Sequence, residues 1–273
     1  MDDKLAVTAF ITGGSSGIGL AIAREFARLG THVAIFSRNA DARERAVAIL
    51  KASARSGANI RSYALDVSDR EQTRSAFAQA VADLGVARYV VTSAGVAYPG
   101  YFDEITDEEF DETWRVNVVG TWNAVRAVVP FMKTAGGHIL TVSSVAGFVG
   151  PFGYTAYSAS KFAVIGMSEA LRAELKRYRI RVSVLCPPDT DTPQLAQETL
   201  RKPKETAALS KHARIATPEA VARAAIAGMK RNRFLILPGR TVRFVHAMQR
   251  FFPAVVRFVS DREVTAVQQE ESR

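Results

Sequence analysis

The sequence predicts a doubly wound α/β fold of Rossmann type, a parallel sheet with helices on both faces, carrying a C-terminal helical extension. Three observations predict it. Short apolar runs alternate with helix-patterned segments, no hairpin signal joins one run to the next, and a glycine-rich turn sits where the first run gives way to the first helix. Within 273 residues, residues 1–240 form one domain of ordinary size and residues 241–273 a basic amphipathic extension.

The elements follow in order. LAVTAFITGG is an apolar strand ending in glycines, and GIGLAIAREFARLG places Ile18, Ile22, Ala23, Phe26 and Leu29 at helical spacing before Gly30 closes the helix. HVAIFSR is the second strand, with a helix over residues 41–54. IRSYALDV is the third, with a helix over residues 69–84, and RYVVTSAG is the fourth. A long helix runs through WRVNVVGTWNAVRAVVPFM, then come the strand GHILTVSS, the helix SASKFAVIGMSEALRAELKRY and the sixth strand RVSVLCPP. Past Gly239, TVRFVHAMQRFFPAVVRFV reads as a helix bent at Pro253. Arg243, Arg250 and Arg257 lie along one line of it, and Phe244, Val245, Met248, Phe251, Phe252, Val255 and Val259 cover the other side.

Composition narrows the function classes. Apolar residues make up 48% and charged residues 23%, as in a folded globular protein. The net charge of +9 is uneven: Lys230 to Val259 holds seven basic residues and no acidic one, which asks for an acidic partner surface. Two readings of that stretch stand side by side, peripheral contact of residues 240–259 with an anionic membrane, or a helix packed on the domain or a sister subunit. No nucleic-acid recognition motif accompanies the charge, so no nucleic-acid partner is expected. The acidic start MDDKLA and its short apolar run do not form a secretory signal, and no stretch reaches the length of a spanning helix. The single cysteine, Cys186, permits a reducing compartment. The expected location is cytoplasmic, with membrane association at most on the cytoplasmic face. Four histidines and one cysteine show no metal-ligand spacing, so no metal is expected, and His138 reads as a structural or exposed residue.

Two clusters carry chemistry. In Thr12-Gly13-Gly14-Ser15-Ser16-Gly17-Ile18-Gly19 the glycines allow a tight turn, and the helix start behind it directs free amides at a pyrophosphate. Gly13, Ser15, Ser16, Gly17, Ile18 and Gly19 are therefore candidate cofactor residues. The second strand ends at Ser37-Arg38-Asn39 without the carboxylate that reads an NAD ribose; Arg38 offers a fork to a 2′-phosphate and Ser37 one more bond, so NADPH is expected. Tyr157 and Lys161, four apart, share a helix face, and a nearby ammonium lowers a tyrosine pKa toward the working range of a proton donor and acceptor.

TGGSSGIG resembles the turn of the short-chain dehydrogenase/reductase superfamily. The resemblance continues in order through Asp66-Val67, Ser93-Ala94-Gly95, Asn117, Ser143-Ser144, Tyr157-Ser-Ala-Ser-Lys161 and the Pro187-Pro188 turn, over residues 5–240. It implies that Tyr157 protonates a carbonyl oxygen as hydride arrives from the nicotinamide, that Ser144 polarises the carbonyl, that Lys161 also bonds the nicotinamide ribose, and that Asn117 holds a proton-relaying water. It selects Ser144 over Ser143 by spacing. It assigns Asp66 and Val67 to the adenine, residues Ser93, Ala94 and Gly95 to the cofactor floor, and Pro187, Thr190 and Thr192 to the carboxamide, with Pro188 in place of the usual glycine. Thr92 stands where the family carries an asparagine that steadies the sheet, which puts one structural hydrogen bond in doubt.

PPDTDTP followed by ETLRKPKET, together with SRN and FGYTAYSASKFAV, looks like the 3-ketodihydrosphingosine reductases. That likeness implies a long-chain keto-amine lipid as substrate, reduced with NADPH. Asp189 and Asp191 either meet the substrate amine or brace the turn. The superfamily implies a homo-oligomer, dimer or tetramer, with the helices through residues 110–132 and 157–178 as its face. Other readings are a reductase of a steroid, retinoid or fatty acyl ketone, and a non-catalytic dinucleotide sensor; the Ser144, Tyr157, Lys161 and Asn117 set argues against the sensor.

Overall fold

The computed structural model describes residues 7–211 and 214–271. The MDDKLA start, the head of the first predicted strand within it, and the outer ends of the 1–240 and 241–273 segments lie outside the described residues. The chain runs β1 (Thr8–Thr12), α1 (Gly17–Arg28), β2 (His32–Ser37), α2 (Ala40–Ser53), β3 (Ile60–Ala64), α3 (Arg70–Leu84), β4 (Tyr89–Thr92), α4 (Asp107–Trp114), α5 (Gly120–Ala135), β5 (Gly137–Val142), α6 (Thr155–Glu174) and β6 (Ile180–Leu185). It continues through α7 (Pro193–Thr199), α8 (Lys204–Ser210), α9 (Pro218–Lys230), β7 (Leu235–Ile236), α10 (Gly239–Phe251) and α11 (Pro253–Glu271).

The strands form one parallel sheet in the order β3-β2-β1-β4-β5-β6-β7. Because both faces are covered, the central strands β1, β4 and β5 are buried almost throughout while the outer β3 is half exposed, and each face has its own core. On one, Ile22 and Phe26 of α1, Leu50 of α2 and Val221 and Met229 of α9 pack on Ile11 and Ile35. On the other, Phe77 of α3 and Val125, Val128 and Met132 of α5 pack on Phe10, Phe36 and Val90. Phe36 and Phe77 stack with ring centroids 4.5 Å apart, and burial of each such side chain contributes about 2–3 kcal/mol. The chain leaves β1 to one side and resumes at β4 on the other, so a crevice opens between their carboxyl ends.

Three differences from the sequence reading have local causes. The long helix after β4 starts earlier than the sequence reading placed it: Thr106 caps α4 in a full capping box with Glu109, and the helical course continues through the widened π-helical turn Arg115–Val119 into α5. Among the described residues between β6 and β7 lie three helices that the sequence reading did not assign, two of them with proline in the first turn behind a threonine cap. The C-terminal helix is not bent but split. Phe252 leaves helical geometry at φ −135 and Pro253 starts α11, because its ring cannot continue α10.

Candidate active site

The glycine turn is fixed by close packing. Gly13 has φ +65, and a Cβ there would stand 2.7 Å from the Ala94 amide nitrogen; one on Gly19 would stand 2.3 Å from the Gly13 carbonyl. Only glycine allows so tight a fold of the turn onto the residue 93–95 strand exit and onto α1. Ser16 caps α1 with no side-chain bond, and the first turn holds no acidic residue, so the helix start offers its amides to an anion. Ser15 Oγ lies 2.8 Å from Ser37 Oγ and ties the turn to the end of β2. From here a crevice of about 1090 Å³ runs to Tyr157. The uncapped helix start, the wall at Asp66 and Val67 and the floor at residues 93–95 fit an extended dinucleotide.

At the adenine end, Arg38 is 57% exposed and its guanidinium lies 3.6 Å from Glu112 and 3.9 Å from Asp66. Glu112 of α4 also accepts the Tyr98 hydroxyl. Arg43, which sequence reasoning did not single out, donates to the carbonyls of Ser37 and Arg38 at 2.8 and 2.7 Å and sets the backbone there. Asn39 is exposed beside Arg38, and its side chain accepts from the Ala42 amide as the cap of α2.

At the other end, α6 puts Tyr157 and Lys161 on one face, with the Lys161 ammonium 5.4 Å from the tyrosine ring centre. Lys161 is buried and donates to the Val142 carbonyl at 3.1 Å. Burial draws its pKa down to about 8, opposed by Cys186 and Glu198. Tyr157 behaves opposite to the sequence reading. Burial and then the Glu198 carboxylate push its pKa up, while the Ser144 and Gln194 side chains pull it down, so the hydroxyl is held protonated. Ser143 is buried and bonds the Lys161 carbonyl at 2.9 Å, whereas Ser144 at the crevice accepts the Ala146 amide at 3.1 Å and faces the Tyr157 hydroxyl. Asn117 does not line the crevice. Its amide exchanges bonds with both backbone groups of Val96 at 2.9 Å and donates to Ser160 at 3.0 Å, so both amide protons are used within the protein while its oxygen keeps one acceptor position. Thr92 Oγ1 is buried without a partner among the described residues, where the family asparagine would have bonded.

The turn after β6 forms the roof. Its two prolines lack amide donors, and Pro187 accepts from Val145 at 3.1 Å. Thr190 is buried and donates to the Pro188 carbonyl at 2.8 Å, so its hydroxyl is occupied within the turn. Thr192 caps α7, accepting from Leu195 at 3.2 Å, and keeps its proton for a partner in the crevice. Asp189 is bridged by Lys202 at 3.2 Å, and Asp191 is exposed and outside the crevice. A carboxylate that sequence reasoning missed occupies this corner. Glu198 of α7 is buried and accepts the Tyr154 hydroxyl at 2.6 Å and the Gln194 amide at 2.7 Å.

The chain matches the short chain dehydrogenase family over residues 7–203. It is 41% identical over 216 residues to the 3-ketodihydrosphingosine reductase of Mus musculus, a match that covers 78% of this chain and 65% of the mouse protein. It is 33% identical to a C alpha-dehydrogenase of Sphingobium over 96% of this chain and 90% of that protein. A crystal structure of a short chain dehydrogenase/reductase from Burkholderia phymatum in complex with NAD superposes with a TM-score of 0.80 at 25% identity, covering 92% of this chain and 95% of that one. With the glycine turn, the parallel sheet and the Tyr157–Lys161 helix face in the same order, this chain belongs to the short-chain dehydrogenase family.

Proposed function

We propose that this chain is an oxidoreductase that reduces the 3-keto group of 3-ketodihydrosphingosine, a long-chain amino ketone, to the alcohol with NADPH. The observation that carries the reading is the crevice: Tyr157, Ser144 and Lys161 meet at one end, and Leu209, Ile215, Val242 and Val245 supply an apolar wall for an alkyl chain. The name of the mouse relative supports the substrate. The glycine turn, Asp66, Val67 and residues 93–95 would hold a reduced nicotinamide dinucleotide along the crevice, and its chemistry there would be to provide the hydride that the carbonyl carbon takes up. Ser144 donates to the carbonyl oxygen, and Tyr157 gives that oxygen its proton as the C–O bond becomes single. The Lys161 ammonium steadies the tyrosinate until solvent returns the proton. Arg38, with no carboxylate of its own at the end of β2, selects the 2′-phosphate.

Residues 1–240 are the catalytic unit and 241–273 an extension. In it Phe244, Phe251, Phe252, Phe258 and Val259 are exposed beside Arg240, Arg243, Arg250 and Arg257, an arrangement suited to an anionic lipid surface. Exposed Phe110, Trp122, Phe131 and Phe162 on α4, α5 and α6 suit a second copy of the chain.

NADPH oxidation with 3-ketodihydrosphingosine and with a steroid ketone tests the reading. The sphingoid ketone is expected to be turned over at least about tenfold more efficiently, Tyr157→Phe to lose about 100-fold or more, and Arg38→Ala to raise the KM for NADPH by about 10- to 100-fold with NADH little changed. Equal rates on both ketones would leave the second reading, a reductase of another lipophilic ketone. The match of the C alpha-dehydrogenase through the C-terminal helices favours that one.

A further inference from the structure

Glu198 raises a question that reduction of a plain ketone does not answer. It is 8% exposed, on a seven-residue helix at the roof of the crevice. Its carboxylate receives two neutral donors, the Tyr154 hydroxyl and the Gln194 amide, and among the described residues no ion pair reaches it. A carboxylate has about four acceptor positions, so two donors leave it half satisfied, and the Lys161 ammonium acts on it only at a distance, without a direct ion pair to offset its burial. Lys202, which packs over the Tyr154 ring, gives its ammonium to Asp189 instead.

The position is as specific as the charge. The Tyr154 ring centre lies 5.7 Å from that of Tyr157, and Gln194 faces both the Tyr157 hydroxyl and Glu198. A group bonded to Glu198 therefore lies beside whatever carbonyl Tyr157 protonates. In an amino ketone the ammonium sits on the carbon next to the carbonyl. The two carboxylates of the double-proline turn do not serve: Asp189 is neutralised by Lys202 and Asp191 faces outward.

We infer that Glu198 is the specificity-determining residue that binds the ammonium of the substrate beside the reacting ketone, an inference that rests on the amino-ketone reading above. Tyr154 and Gln194 are its positioning residues, holding the carboxylate toward the crevice through two of its lone pairs.

The test compares the full chain with its Glu198→Gln and Glu198→Asp variants on 3-ketodihydrosphingosine and on the matched long-chain ketone that lacks the amine. NADPH affinity, measured by fluorescence titration, serves as the control for folding. Wild type is expected to prefer the amino ketone. Glu198→Gln, whose carbonyl can still accept from Tyr154, is expected to raise the KM for the amino ketone at least about tenfold more than that for the amine-free ketone, with the NADPH affinity within about twofold and any change in kcat from the lost charge beside Tyr157 shared by both ketones. Glu198→Asp, which keeps the charge, is expected to retain part of the preference. A wild-type preference that survives in Glu198→Gln overturns the role of Glu198 and leaves the substrate reading intact. Equal losses on both ketones overturn it too, by showing a structural part only. A wild type that does not distinguish the two ketones overturns both.

Discussion

His138 shows how far a residue's surroundings can displace its ordinary chemistry. It lies in β5, 4% exposed, with Nε2 2.8 Å from Ser183 Oγ. Burial first, then the charges of Arg181 and Arg88, draw its pKa from 6.5 to about 4. The unfolded chain therefore takes up a proton that the folded chain refuses, so stability is full above pH 6.5 and declines as the pH falls toward 4, by about 3 kcal/mol at the acid end. Urea midpoints at pH 7 and pH 4.5 are expected to differ less in His138→Gln than in wild type; an undiminished difference would assign the acid limb to other groups. Tyr157 obeys the same rule with the opposite sign, since a hydroxyl pushed up by burial stays protonated at neutral pH, the form the proposed reduction calls for. The sequence already separated the catalytic candidates from the background, because Tyr157 and Lys161 need only helical spacing to meet. Glu198 was not legible. In ETLRKPKET it is one charge among many, and only the contact with Tyr154, forty-four residues earlier, shows that it is buried.

Among elements, those held by local signals were read well and those held by tertiary contacts were not. Asn39 and Asp69 cap α2 and α3 where the spacing placed those helices. β7 has only two residues, too few for any periodicity, and exists because Val184 and Cys186 bond the carbonyls of Phe234 and Ile236. α10 divides its residues differently from the predicted apolar face: Val242 is buried, Val245 borders the crevice, and Phe148 packs edge-on against His246 at 5.0 Å, while Phe244 is 64% exposed. α11 turns back toward α8, where Gln268 donates to Glu205 at 3.3 Å. The helices thus pack on the protein and still leave a basic, aromatic outer surface. Co-sedimentation with vesicles containing an anionic lipid is expected for the full chain. The triple variant Arg243→Glu, Arg250→Glu, Arg257→Glu should lose about 100-fold or more in binding, at about 1 kcal/mol for each basic residue lost. Equal binding to neutral vesicles would remove the electrostatic part.

At the scale of the molecule, the alternation of strands and helices made the parallel sheet legible, and a glycine turn after the first strand made the crevice legible, since the chain reverses direction across the sheet at that strand. What pattern alone could not give is assembly. Exposed Trp122 and Phe131 on α5 and Phe162 on α6 predict that light scattering gives at least twice the monomer mass of 29.7 kDa, and that Trp122→Glu shifts it downward; a wild-type mass equal to the monomer would remove the second copy. One last consequence concerns α10, whose Val242 and Val245 line the cavity while Phe244 between them faces out. Seated on a bilayer, such a helix makes the mouth of the cavity and the lipid surface two sides of one wall. A substrate then passes in by lateral diffusion without crossing water, and the velocity follows its mole fraction in the lipid film rather than its bulk concentration.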